Sequence, residues 1–129
     1  LETAVKQSDI ITSATMSTDS FIRGDWLQPG QHLDLIGAYR PDMRETDDTS
    51  FESARVFVDS LDTTIGHIGE IIKPMESGAL TEEMIVADYY APDAFKRTSD
   101  DEITLFKNGG GAHLDLMTSH YILSQYQKT

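Results

Sequence analysis

Cysteine is absent from this sequence of 129 residues, so disulfide bonds, a thiolate nucleophile and a cysteine-ligated zinc site are excluded. A cytoplasmic location is compatible with that absence, and we expect it. Long apolar runs are also missing, since none approaches the roughly 20 residues that a helix needs to span a bilayer. The amino end has no signal-peptide character, lacks a starting methionine and reads like the middle of a helix. We therefore expect a piece of a longer protein.

Basic residues are scarce. Lysine and arginine total 10 against 22 acidic residues, which gives a net charge of -12. A field of this sign repels the phosphates of nucleic acids and anionic lipids, so neither a nucleic acid nor a membrane is expected as a partner. The simplest interpretation of the charge is solubility.

Short β-branched, apolar runs alternate with helical patterns along the chain. We predict strands at residues 9–15, 32–37, 55–59 and 103–106, with a further short extended piece at 71–74. Helices are predicted at residues 1–7, 60–69 (closed by Gly69), after Thr81, and at 112–126, and within the acidic segment 45–54 a short helix is predicted that is capped by Thr49 or Ser50 and ends near Ala54. This alternation predicts an α/β fold with a mostly parallel sheet.

Three of the predicted strands end in polar or glycine-containing segments. These are residues 14–16, 36–39 and 107–109. In open α/β sheets, ligands bind just outside the carboxyl ends of the strands. The residues alone therefore predict a ligand-binding site where these three ends converge.

Two other patterns lie near the carboxyl end. His113 and His120 are seven residues apart on the last predicted helix, or roughly 10.5 Å along its axis, too far to share one zinc ion. Asp115 points to a different side, so no metal site is predicted. Residues 109–111 are three glycines before that helix, which could receive an anion at the helix start or serve as a flexible joint. The sequence favours neither.

The order and spacing of these segments resemble the ornithine cyclodeaminase and mu-crystallin family. The similar segments are residues 9–15, 26–30, 32–48, 55–59 and 99–107, and residues 30–45 are the most informative. The resemblance implies half of a Rossmann-type NAD(P)-binding sheet with flanking helices. Residues 1–107 would be the carboxyl-terminal half of that domain. Residues 108–129 would be a helix of the second domain, which binds substrate and forms a homodimer.

The resemblance also implies site residues. Ala14, Thr15 and Met16 would border the adenosine side of NAD(P). The turn along the nicotinamide would consist of Ile36, Gly37, Ala38 and Tyr39. Asn108 would lie near the nicotinamide amide and Gly109 beside the substrate, while Met43 occupies the position of a cofactor-contacting lysine of cyclodeaminases.

Tyr39 stands where ornithine cyclodeaminases carry an aspartate that acts as acid and base. A phenol with an ordinary pKa near 10 is a poor base at neutral pH but can donate a proton to an imine nitrogen. Tyr39 is therefore the predicted catalytic residue of a reductase that transfers hydride to a cyclic ketimine such as Δ1-pyrroline-2-carboxylate. The alternatives are an NAD-dependent ornithine cyclodeaminase, which forms L-proline and ammonia, and a non-catalytic binding protein resembling mu-crystallin.

The family's glycine-rich phosphate turn, its ribose-binding acid and its substrate-binding lysine and arginine residues have no counterpart here. Affinity for the pyrophosphate comes mainly from such a turn at a helix start. We therefore predict that the 129-residue chain alone neither binds the cofactor tightly nor catalyses. A half-domain that serves only for association is a further possibility.

Overall fold

The computed structural model describes residues 1–128, apart from the side chain of His113. Its five strands are β1 (Ile10–Ser13), β2 (His32–Leu35), β3 (Arg55–Val58), β4 (Ile85–Ala87) and β5 (Thr104–Lys107). The α-helices are α1 (Glu2–Gln7), α2 (Asp48–Ser53), α3 (Leu61–Thr64), α4 (Gly69–Ser77) and α5 (Ala112–Tyr126). Short 3-10 helices cover Gly24–Trp26, Glu82–Met84 and Pro92–Ala94.

All five strands form one parallel sheet in the order β1-β2-β5-β3-β4. The predicted α/β class and parallel sheet are thus confirmed. The bounds predicted for the last helix agree with α5. Four predicted strands correspond to β1, β2, β3 and β5; the first three are shorter than predicted, and β5 has the predicted length but begins one residue later.

The region between β3 and β5 differs from the prediction. The predicted helix over residues 60–69 ends at Thr64, and Gly69 begins α4 instead of closing a helix. A Cβ at Gly69 would clash with the backbone oxygens of Pro41 and Met43, so the glycine permits a close backbone approach. The extended piece predicted at 71–74 is wrong, because these residues lie inside α4. The helix closes at Gly78, whose φ of 87° is left-handed.

Two smaller predictions in this fold are also wrong. The helix predicted after Thr81 is wrong, because only the 3-10 turn Glu82–Met84 follows Thr81 and it leads directly into the unpredicted strand β4, which at three residues is too short to show a period. Residue Asp47, not Thr49 or Ser50, precedes the first turn of α2. The carboxylate of Asp47 accepts the Gly24 N–H at 2.8 Å and so ties α2 to the preceding loop.

The hydrophobic core lies on one face of the sheet. Side chains alternate between the two faces of a strand, and Leu33, Leu35 and Leu105 all point to the covered face with no exposed area. Phe51 of α2 and Ile71 of α4 pack against them and are likewise fully buried. Burial of a large apolar side chain contributes about 1.5–3 kcal/mol, so this face dominates the stability.

The opposite face of the sheet is only partly covered. Ile10 is 66% exposed, and the aromatic rings of Phe57, Phe95 and Phe106 cluster around a cavity of about 340 Å³. His32 and Thr104, the first residues of β2 and β5, also line this cavity. The cavity therefore lies toward the amino-terminal ends of the strands.

None of the helices described within residues 1–128 is long and apolar enough to cross a membrane.

Candidate functional site

The carboxyl ends of β1, β2 and β5 lie side by side. Ser13 pairs with Leu35, which pairs in turn with Lys107, so the three parallel strands end at the same level. Just beyond the strands, Ile36 donates its N–H to the Ser13 carbonyl at 2.8 Å, and Asn108 donates to the Leu35 carbonyl at 3.0 Å. The three segments singled out from the sequence therefore meet at one edge of the sheet.

Gly37 and Thr15 are in close contact at this edge. A Cβ at Gly37 would clash with the backbone nitrogen and oxygen of Thr15, and it would lie 2.6 Å from a carboxylate oxygen of Glu45. Only glycine fits this approach. The segment after β1 and the turn after β2 thus form one continuous surface.

Glu45 lies beneath that surface with no exposed area. Its Oε1 accepts hydrogen bonds from the Ser13 hydroxyl at 2.6 Å, the Thr15 N–H at 2.7 Å and the Thr15 hydroxyl at 2.8 Å. Its Oε2 accepts the Gly37 N–H at 2.8 Å. Burial acts to raise the pKa of Glu45, but these hydrogen bonds outweigh it and hold the pKa below the usual value.

Two further buried charges surround Glu45. Glu70 accepts the backbone N–H groups of Glu45 at 2.6 Å and Thr46 at 3.0 Å. Burial raises the pKa of Glu70 to about 7, although these hydrogen bonds and the charge of Lys107 oppose the shift. Lys107 has no exposed area and donates from Nζ to the Leu35 carbonyl at 3.0 Å. Burial lowers the pKa of Lys107 against the opposing charges of Glu70 and Glu45.

The residues expected to border a cofactor differ in their accessibility. Exposed at the edge are Ala14, Thr15, Met16, Ile36 and Tyr39, and half-buried are Gly37, Asn108 and Gly109. The exposed fractions of Met16, Ile36 and Tyr39 are 73%, 42% and 56%, which gives the edge an apolar surface. Such a surface can hold a flat ring.

Two of these residues point toward the interior: the Ala38 side chain is wholly buried, and the Thr15 hydroxyl bonds to the buried Glu45. Ala38 is fully buried and packs with Met43 and Ile68 in a small cluster below the turn. The Thr15 hydroxyl donates to Glu45 and accepts the Ser17 N–H at 3.3 Å, so its only donor is used within the chain and one acceptor lone pair is left. Ala38 and Thr15 remain predicted cofactor neighbours, with their backbone and remaining exposed atoms available.

Tyr39 presents its ring to solvent beside a charged pair. The guanidinium carbon of Arg40 lies 5.8 Å from the ring centroid, and Arg40 binds Asp42 through two hydrogen bonds of 3.0 and 3.1 Å. The catalytic role of Tyr39 stays a prediction.

The segment after β5 is held by local contacts. The Asn108 carbonyl oxygen of the side chain accepts the Gly110 N–H at 2.8 Å. A Cβ at Gly109 would lie 2.9 Å from Thr64 Cγ2 and 3.1 Å from Asp59 Oδ1, so this position has little room for a side chain. A substrate contact at Gly109, which the resemblance implies, would therefore come from its backbone.

Among the described residues, no group of three or more histidine, cysteine, aspartate or glutamate side chains is arranged to hold a metal ion. The side chain of His113, one of the histidines near the carboxyl end, lies outside what the structure describes.

The buried charges were not predicted from the sequence. Glu45 and Glu70 are 25 positions apart, and Lys107 is 72 positions from its acceptor Leu35, so no local spacing relates them. A usable signal was the lysine that ends the apolar run before Asn108, because a lysine in a buried strand requires a partner.

Comparison with known proteins gives a consistent result. The family model described as "Ornithine cyclodeaminase/mu-crystallin family" matches residues 1–129. A Delta(1)-pyrroline-2-carboxylate reductase of Paracoccus denitrificans is 55% identical over 95% of this chain and 40% of its own length. The chain thus spans about two fifths of that curated relative.

Two solved structures share the fold. Delta(1)-pyrroline-2-carboxylate reductase of Thermococcus litoralis, in complex with NADH and L-proline, matches with a TM-score of 0.79 and 32% identity, over 84% of this chain and 35% of that one. An archaeal alanine dehydrogenase dimer with bound NAD matches with a TM-score of 0.83 and 28% identity, over 99% of this chain and 41% of that one. On the match along its whole length, the chain belongs to the ornithine cyclodeaminase/mu-crystallin family.

Proposed function

We propose that this chain forms the carboxyl-terminal half of an NAD(P)-binding Rossmann domain in an enzyme that reduces a cyclic ketimine of the Δ1-pyrroline-2-carboxylate type. The observation that carries the proposal is the 55% identity to a reductase of that name over 95% of the chain. The convergence of the β1, β2 and β5 ends supports it, because dinucleotides bind outside the carboxyl ends of such sheets.

The edge has properties that suit a dinucleotide. The apolar surface of Met16, Ile36 and Tyr39 suits a planar ring. The Glu45 carboxylate is buried and accepts four hydrogen bonds, so it presents no unpaired negative charge to an anionic cofactor. A bound reduced nicotinamide would supply the hydride. This chain has no counterpart of the family's glycine-rich phosphate turn, so we expect tight binding to require the remainder of the relatives' length.

Tyr39 would act at the imine nitrogen. Reduction adds a hydride to the imine carbon and a proton to the nitrogen, and a phenol is normally protonated at neutral pH and able to donate. Substitution Tyr39→Phe is expected to lower kcat by about 10²-fold, the low end for loss of a positioned proton donor. Tyr90→Phe is the matched control, because Tyr90 is 85% exposed. Unchanged kcat in Tyr39→Phe would remove the residue from the mechanism.

Steady-state kinetics of the full-length protein test the activity. With Δ1-pyrroline-2-carboxylate and NADH or NADPH, we expect loss of the reduced cofactor's absorbance and formation of proline. Release of ammonia from L-ornithine without imine reduction would select the cyclodeaminase, the alternative. No turnover in either assay, with cofactor still bound, would indicate a binding protein. The isolated 129-residue chain is expected to show neither activity nor tight binding, and turnover by it would contradict that.

Helix α5 would belong to the second domain, so that residues 1–107 and 108–129 fall in different domains. The apolar residues Leu116, Met117, Tyr121 and Ile122 are 57–68% exposed in the described structure. An alanine dehydrogenase of similar fold is a dimer. We therefore expect the full-length protein to sediment as a homodimer; a monomer would contradict this. A small-molecule amino acid or imine is the expected substrate, and the cytoplasmic location stays a prediction.

A further inference from the structure

Glu45 forms hydrogen bonds to several separate segments of the chain, through both its backbone and its side chain. Its N–H donates to Glu70 at 2.6 Å, and its carbonyl accepts the N–H groups of Phe21 at 3.1 Å and Ile22 at 3.0 Å. The backbone of Glu45 is therefore fixed independently of its side chain. The carboxylate is left to connect the segment after β1 with the turn after β2.

We propose that Glu45 is a positioning residue for the dinucleotide: its carboxylate sets the spacing between Thr15 and Gly37, the two strand ends along which the cofactor lies. The inference rests on the proposed function. Glu45 has no exposed area, so it cannot touch the cofactor itself and acts through the groups that it binds.

The hydrogen-bonding pattern requires a carboxylate. Four donors, from Ser13, Thr15 and Gly37, converge on its two oxygens at 2.6–2.8 Å. An amide in the same place would direct its NH2 group either at the Gly37 N–H or at the three donors on the other oxygen. Either orientation sets donor against donor and separates the two strand ends.

Two nearby features keep the carboxylate in place. The charge of Lys107, from the end of β5, lies close enough to interact with both Glu45 and Glu70. Gly37 has no Cβ, so the turn can approach Thr15 and the carboxylate together. The carboxylate thus couples the ends of β1 and β2 through hydrogen bonds, and the charge of Lys107 adds an electrostatic interaction from the end of β5.

The substitution Glu45→Gln in the full-length protein tests this role. We expect the Kd for NADH to rise about tenfold, because misplacement of a binding group by a fraction of an ångström to 1 Å is enough for effects of this size. The KM for the imine should change less than twofold, since Glu45 contacts no residue assigned to the substrate. Glu52→Gln is the matched control: the same chemical change at an exposed position of α2 should leave both values unchanged.

Ser13→Ala provides a milder variant should Glu45→Gln fail to fold. It removes one of the four donors, and a rise of roughly threefold in the Kd for NADH is expected. Hydrogen exchange supplies a second measurement, in which the amides of Thr15 and Gly37 exchange faster in both variants than in the wild type.

The outcomes separate this inference from the proposed function. Wild-type protein that binds neither NADH nor NADPH overturns the proposed function, and the inference with it. Wild-type protein that binds NADH, with Glu45→Gln or Ser13→Ala binding it equally well, overturns the inference alone. A variant that raises the KM values for NADH and imine to the same extent also overturns it, because that result indicates general loss of structure.

Discussion

The carboxyl edge of the sheet and helix α5 differ in how their side chains are placed: the edge buries charged groups, whereas α5 exposes apolar ones. At the edge, Glu45, Glu70 and Lys107 are fully buried, and among the described residues no buried side-chain nitrogen or oxygen lacks a hydrogen-bond partner. Along α5, Met117 and Tyr121 are 68% and 65% exposed. The buried polar groups at the edge find their partners within the chain, whereas α5 presents an exposed apolar surface, which we propose to be an interface. Substitutions at the edge should therefore affect stability, and substitutions on α5 should affect association.

The largest expected effect is at Lys107. Replacement by methionine removes a buried ammonium beside Glu70 and Glu45 and leaves the Leu35 carbonyl without its side-chain donor. We expect the free energy of unfolding of the sheet to fall by about 3–5 kcal/mol, as when one partner of a buried ionic group is removed. Hydrogen exchange at the core amides of the full-length protein measures this. Lys96→Met, at an exposed position, is the control. A loss below about 1 kcal/mol would show that the buried charges are independent.

The effect of pH through Glu70 is next in size. Because the pKa of Glu70 rises from 4.5 to about 7 on folding, the folded state holds a proton that the unfolded state has lost between these values. The contribution of this group to stability is complete below pH 4.5 and is lost as the pH rises through about 7. The difference is on the order of 3 kcal/mol.

The free energy of unfolding can be measured by hydrogen exchange for the wild type and Glu70→Gln between pH 4.5 and 8. The difference between the two proteins isolates the contribution of Glu70. The wild type should lose stability relative to the variant as the pH rises. Parallel profiles of the two proteins would show that the pKa of Glu70 is not raised by folding, and they would contradict this prediction.

Two glycines offer a smaller, matched comparison. Gly37→Ala places a Cβ against the backbone of Thr15, and we expect a loss of about 2–3 kcal/mol, typical of overpacking, together with weaker NADH binding. Gly78→Ala meets no atom within 4 Å and strains only a left-handed φ of 87°, so about 1 kcal/mol is expected with no effect on NADH. Thermal unfolding and NADH titration of the full-length variants test both. Equal effects would contradict the close contact at the edge.

The smallest effect on stability is expected from α5. The double substitution Met117→Ala and Tyr121→Ala removes two exposed apolar side chains that lie one turn apart on α5. Alanine favours the helix, so α5 itself should still form. The stability of the sheet should change by less than about 0.5 kcal/mol, as for exposed positions. The proposed homodimer should weaken in sedimentation at low concentration. If the double substitution destabilised the sheet and left the dimer intact, α5 would contribute to stability and not to association, which would contradict this account.

The sequence predicted the parts of the fold that local patterns determine. The long helix α5 follows three glycines, and strands β1, β2, β3 and β5 are compact β-branched or apolar runs. Helix α4 was missed because residues 71–74 were interpreted as a short extended piece. A single proline removes one helical hydrogen bond, and the burial of Ile71 and Pro74 against the sheet offsets that loss.

The same distinction holds at the candidate site. The three strand ends were predictable, because parallel strands bring their carboxyl ends to one edge. The cluster of Glu45, Glu70 and Lys107 was not, since its members come from a loop, a helix and a strand that are far apart in sequence. Their contacts form only when the sheet has assembled, and no periodic pattern records them.

Amide chemical shifts of the isotope-labelled full-length protein, followed while NADH is added, test most directly whether the strand ends form the dinucleotide groove. The largest shift changes are expected at Thr15, Gly37 and Asn108. Changes confined to the open face around Phe57 and Phe106, with those three amides unmoved, would contradict the assignment.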